Sequence, residues 1–131
     1  MIRLPARYNS IIVATVLCDD FMSEFFGTKN LHLRLPQSVL RLTDRHDIRT
    51  ALIQEDPETA KRCRPVVRHF TLTIPLNRVV IFDELREAII HQASTEAVRD
   101  LNRSLGKVYH ANDNRLDCRL ENLREVCDER V

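Results

Sequence analysis

Residues 10–17 (SIIVATVL) are rich in β-branched side chains on both faces, the pattern of a buried strand. The apolar pairs Phe21/Met22 and Phe25/Phe26 follow at helical spacing. The run therefore predicts a strand leading into a short helix, with Gly27 just past the helix end, where a left-handed residue is commonly needed. Leu31, Leu33 and Leu35 alternate with His32 and Arg34, the period of two of a half-buried strand, which Pro36 ends. Residues 37–54 carry Val39, Leu40, Leu42, Ile48, Leu52 and Ile53, with Asp47 placed to cap a second piece, and predict one broken helix or two short ones. Residues 67–74 (VRHFTLTI) and 78–82 (RVVIF) predict two more strands separated by a turn at Pro75, Leu76 and Asn77. Asp83 is placed to cap a helix through Leu85, Ala88, Ile89 and Ile90. Ser94 or Thr95 begins another through Val98, Leu101 and Leu105, and Gly106 stops it. These elements predict an α+β fold.

Between the two halves, residues 55–65 begin acidic (EDPE) and turn basic (KRCR), with a proline near each end, as suits an exposed boundary. The expected organisation is an α/β region over 1–60 and a second region over 61–131. Lys61, Arg62, Arg64 and Arg68 make the best electrostatic footprint for a polyanion; a solvated connector beside compensating acids is the other reading of the same residues. With 20 Lys plus Arg against 19 Asp plus Glu, the chain lacks the bulk positive field of a DNA-coating protein, so contact with nucleic acid must be local. The four cysteines (Cys18, Cys63, Cys118 and Cys127) include no CxxC pair, and no amino-terminal leader pattern is present. Reduced thiols in a cytoplasmic protein are expected. The longest apolar run, 11–18, is far short of the ~20 residues that cross a bilayer, so no membrane association is expected.

Residues 107–126 (KVYHANDNRLDCRLENLREV) are more specific. His110, Asn112, Leu116, Asp117, Arg119, Asn122, Leu123 and Arg124 stand in the order of the core motif of the HNH endonucleases of phage and homing type, which this segment resembles. Residues 73–84 (TIPLNRVVIFDE) look like the opening of many such phage proteins, and the resemblance covers about the second half of the chain. It implies a small mixed domain with a C-terminal β-hairpin and a closing helix. It also implies that His110 activates a water while a divalent cation, Mg²⁺ or Mn²⁺, neutralises charge on the leaving oxygen. Asn122 would pin the loop across the hairpin by its side-chain amide and so orient the histidine.

Two positions depart from that pattern. Tyr109 stands where the family carries an acidic ligand, and tyrosine is a poor ligand for Mg²⁺. After Arg124 come only seven residues, without Asn or His, so the hairpin is expected to be truncated at its closing helix. Asp113, Asp128 or Glu129 would have to substitute. Asp113 also replaces the glycine of the family loop, which predicts a different loop path. The resemblance thus implies a degenerate HNH-like protein of phage or mobile-element origin that needs no cofactor. It would bind nucleic acid or a host protein, for example as an inhibitor of host nuclease or immune machinery. The alternative is an active metal-dependent endonuclease with His110 as general base. Arg115, Arg119 and Arg124 are phosphate ligands in one reading and, since Asp113, Asp117, Glu121 and Glu125 alternate with them, fixed surface pairs in the other. A homodimer through the apolar end of 11–26 (Leu17, Phe21, Met22, Phe25, Phe26) is a third possibility, and core packing explains those residues equally well.

Overall fold

A computed structural model describes residues 1–8, 11–27, 31–35 and 62–126. The helices expected over 37–54, together with Pro36, Lys61, Cys127, Asp128 and Glu129, lie outside the described residues. The fold is α+β: the described residues form a five-stranded mixed sheet, three α-helices and a two-stranded ribbon.

Five strands, β1 (Ile2–Tyr8), β2 (Ile11–Cys18), β3 (Leu31–Arg34), β4 (Arg64–His69) and β5 (Leu72–Pro75), form the sheet in the order β2-β1-β3-β4-β5. Only the β1/β3 pair is parallel, and it is brief, matching Ala6 with Leu31 and Arg7 with His32. The alternation of Leu31, Leu33 and Leu35 does bury those three side chains. Strand β3 then pairs with β4 from Leu31↔Val67 to Arg34↔Arg64, so the sheet runs across the expected boundary at residues 60 and 61. The end of the connector is itself strand, since Arg64 and Pro65 open β4.

Two expectations about the second half are corrected. Residues 67–74 are not one strand but the heart of a hairpin, turned at Phe70, which takes a left-handed φ of 52°. Residues 78–82 are not a strand: α1 spans Leu76–Ile81. Its β-branched content is overridden by spacing, because Leu76, Val79 and Val80 fall at i, i+3 and i+4 and bury one stripe against the sheet. Helix α2 (Asp83–Ile90) buries Leu85 and Ile89; Asp83 lies in its first turn rather than capping it. Helix α3 (Thr95–Ser104) is capped by Ser94, whose hydroxyl accepts from the Ala97 amide at 3.1 Å. Helix α1 packs against β4 and β5, α2 against α1, and α3 against α2. His69 ties sheet to helices, its Nε2 donating to the Ala93 carbonyl at 2.7 Å.

The stretch after β2 forms two 3-10 turns, Asp20–Met22 and Phe25–Gly27, in place of the expected α-helix. A spacing of three sends Met22 and Phe25 inward together, and both are buried in the core. Gly27 therefore ends a 3-10 turn, and no described glycine has a positive φ. Of the residues proposed for a dimer face, Met22 and Phe25 are thus spent on the core, while Phe21 is exposed beneath the Arg86 guanidinium, 5.0 Å from its ring centre. No described helix is long and apolar enough to cross a membrane.

Removal of the Ser94 cap in Ser94→Ala should lower the unfolding free energy by about 1 kcal/mol, read from urea denaturation.

Candidate functional site

Strand β6 (Lys107–His110) pairs antiparallel with β7 (Leu123–Val126), setting His110 opposite Leu123 and Tyr109 opposite Arg124. The ribbon packs on α1, and residues 111–122 close it. This loop is built by short polar side chains bonding to backbone two residues on: the Asn114 amide to Asn112 Oδ1 at 2.9 Å, the Leu116 amide to Asn114 Oδ1 at 3.1 Å, and the Arg119 amide to Asp117 Oδ1 at 3.3 Å. Asp113 has a φ of 59°, the left-handed region that glycine favours and aspartate tolerates.

Asp117 is the hub. Its carboxylate, 2 % exposed as a residue, accepts from Arg119 Nε at 2.8 Å, Arg119 Nη2 at 2.7 Å and Asn112 Nδ2 at 3.1 Å. Those hydrogen bonds, from Arg119 above all, hold its carboxyl below the usual carboxylate range. Its carbonyl accepts from both His110 Nδ1 and Asn122 Nδ2, each at 2.9 Å. Asn122 Oδ1 in turn accepts the Asn112 amide at 2.9 Å, so the asparagine side chain spans the loop. The loop is stitched to the large sheet where Leu17 pairs with Asp117: the Leu17 amide donates to the Leu116 carbonyl and the Cys118 amide to the Leu17 carbonyl, at 2.9 and 2.8 Å.

With Nδ1 donating to a carbonyl, the neutral His110 ring presents a lone pair at Nε2, and Asn77 Nδ2 donates into it at 3.1 Å. Burial favours this neutral form and outweighs the opposing pull of the Asp117 carbonyl, lowering the pKa from its ordinary value near 6.5. Asn77 Oδ1 is buried without a hydrogen-bond partner among the described residues.

His110 and Asn77 open onto a cleft of about 490 Å³ lined also by Arg64, Arg78, Lys107, Tyr109, Asp113 and Arg115. Four permanent cations thus face one carboxylate, in a chain of formal charge +1. None of the four forms an ion pair with a carboxylate among the described residues. Desolvation, then Arg115 and Arg34 nearby, lowers the pKa of Arg64. Arg78 is fixed within the wall. Its Nε donates to Asn102 Oδ1 and its Nη1 to the Gly106 carbonyl, both at 2.6 Å, while Nη2 donates to the Asn102 carbonyl at 2.7 Å, tying off the carboxyl end of α3.

The arginines expected to bind nucleic acid divide sharply. Arg64 and Arg115 meet in the cleft, and Arg115 Nη1 reaches the carbonyl of exposed Arg62 at 3.4 Å. Arg124 stands opposite Tyr109 on the outer face of the ribbon, its Nη1 donating to the Glu121 and Leu123 carbonyls at 2.8 and 2.9 Å. Arg119 is held by Asp117 and by Glu121, 2.7 Å from each carboxylate. Arg68 lines a different groove, with Glu24, Phe25, His69 and Phe70. Sequence reasoning missed Asn77, Arg78 and Lys107. The heptapeptide from Ile74 to Val80 held the signal for the first two, since helical spacing there puts Asn77 and Arg78 on the side opposite Val79 and Val80.

Mg²⁺ or Mn²⁺ is not fitted by the described residues. His110 has both ring nitrogens engaged, and among the described residues Asp113 is the one carboxylate on the cleft and no three His, Cys, Asp or Glu groups converge. Cys18, Cys63 and Cys118 are buried, and burial pushes the thiols of Cys18 and Cys63 up to about 11. No protein-family model, curated protein or solved structure matches the chain.

Two consequences concern pH and the hub. An unfolded imidazole takes up a proton near pH 6.5, whereas folded His110 resists it to lower pH, so the unfolded state binds more protons in between. Stability should therefore fall as pH drops from about 7.5 to about 5.5, and His110→Gln should flatten part of that slope in urea-unfolding curves, with His32, also lowered by burial, carrying another part. The stabilisation from Asp117 is present above the unfolded carboxylate pKa of about 3.9 and is lost only as pH falls through its lower folded value. At neutral pH, Asp117→Asn should cost roughly 2–3 kcal/mol in the same assay.

Proposed function

We propose that the cleft beside His110 binds the phosphodiester backbone of nucleic acid, and that the protein acts by binding. The observation that carries this reading is the convergence of Arg64, Arg78, Lys107 and Arg115 around one carboxylate with no ion-pair partner among the described residues. In a half-buried cleft, uncompensated like charges raise the energy of the empty site, and a phosphate relieves it. Arginine supplies a planar fork that meets two phosphate oxygens at once; Lys107 supplies a point charge. Asn77 and His110 add polar groups at the cleft floor, and the hub at Asp117 fixes the loop that carries Asp113 and Arg115. A hydrolytic role would require further carboxylates at this floor, and the candidates Asp128 and Glu129 lie outside the described residues.

Binding of labelled DNA, followed by fluorescence anisotropy, should weaken linearly on logarithmic axes as salt rises from about 50 to about 200 mM. Arg64→Glu with Arg115→Glu should reduce affinity at low salt at least about tenfold and lower the salt slope by about two contacts. Arg68→Glu, in the other groove, should change neither by more than a small factor. Absence of binding at low salt, or equal losses from Arg68→Glu, would overturn the proposal in favour of a protein partner.

A further inference from the structure

Residues directly opposite one another in an antiparallel pair point to the same side, so Lys107 with Val126 and Tyr109 with Arg124 share the outer face of the ribbon. All four are exposed, Tyr109 by 50 %. The Tyr109 ring packs on no other ring or cation, and its hydroxyl has no hydrogen-bond partner, among the described residues. The same side chain lines the cleft together with Arg64 and Arg115. An unpartnered aromatic face is therefore flanked by Lys107 and Arg124 on the ribbon and by Arg64 and Arg115 in the cleft, and no carboxylate stands on the outer face of the paired strands.

We infer that Tyr109 is a stacking platform for a nucleobase, and that the ligand of this surface is single-stranded nucleic acid. This inference rests on the phosphate-binding reading of the cleft. Positive charge alone does not distinguish a duplex from a single strand, since both present phosphates. An exposed aromatic face does, because duplex bases are stacked on one another and unavailable, whereas a single strand offers a base for each ring it meets. The flanking cations then hold the phosphates on either side of the stacked base, an arrangement tolerant of base identity because every base has a π-face.

The composition supplies the probe: the chain has no tryptophan and two tyrosines, so Tyr8→Phe leaves Tyr109 as the sole strong fluorophore. This variant would be titrated with oligothymidylate of about 12 nucleotides, with a duplex of the same length and with inorganic tripolyphosphate. Stacking predicts that oligothymidylate quenches the tyrosine emission and binds more tightly than duplex, while tripolyphosphate binds without quenching. Tyr109→Ala should weaken oligothymidylate about tenfold and leave tripolyphosphate unchanged, and Tyr109→Phe should restore most of the loss. Salt-sensitive binding of oligothymidylate with no quenching and no loss in Tyr109→Ala would overturn the stacking role and leave the phosphate reading standing. Equal loss of both anions in Tyr109→Ala would also overturn it, as would tighter binding of duplex. Failure of all three ligands to bind the unsubstituted protein would remove both readings together.

Discussion

The burial of one carboxylate organises the second half of this protein. Asp117 is almost fully removed from water, and a buried charge is tolerable only when its lone pairs are met. Arg119 and Asn112 meet them, and to do so the chain must fold the loop back on itself between β6 and β7. Once that loop is set, the Asp117 carbonyl fixes the tautomer of His110 and receives the amide of Asn122. The backbone on either side of Asp117 then joins β2 through Leu17. Side chain and main chain of a single residue therefore link ribbon, loop and sheet.

The cleft inherits its character from this arrangement. Its cations come from β4, α1, β6 and the loop, so no local cluster in the sequence produces the charge; convergence of four elements does. They are also unequal. Arg78 has its donors committed to the end of α3, where the negative end of the helix dipole offsets part of its charge, whereas Arg64 and Lys107 make no ion pair with a carboxylate among the described residues and Arg115 is held only by one long bond to the Arg62 carbonyl. His110, kept neutral by burial, contributes polarity rather than charge near neutral pH.

Much of this was legible beforehand, and the failures have physical causes. The alternation of Leu31, Leu33 and Leu35 marks β3 because a half-buried strand admits no other period, and Ser94 marks the start of α3 because little else satisfies the amide of Ala97. Residues 78–82 misled because Val79, Val80 and Ile81 favour strands locally; only Leu76 at the preceding turn reveals the helical stripe. Strand β1 escaped notice although Ile2, Leu4, Ala6 and Tyr8 alternate with Arg3, Pro5 and Arg7, because a proline inside a run argues against a strand unless it lies at an edge or bulge. In the loop, His110, Asn112, Asp117 and Asn122 bond to one another, a network centred on Asp117 that their order along the chain does not by itself predict. The cleft could not be read because Asn77, Arg78 and Lys107 become neighbours of His110 through the packing of α1 on the ribbon. The arginines of residues 61–68 look alike in one dimension, yet Arg64 and Arg68, on the same face of β4, stand near its opposite ends and so line different grooves.

The junction of Leu17 with the loop has a further effect. Strand β2 ends the order of the large sheet, and its sequence, IIVATVLC, has the apolar, β-branched composition that templates association between chains when an edge lies open. At Leu17 the outward amide and carbonyl are both occupied by residues 116–118. The loop that shapes the cleft thus also covers part of a sticky edge. Damage to it would be expected to show first as loss of solubility, before any loss of ligand could be weighed.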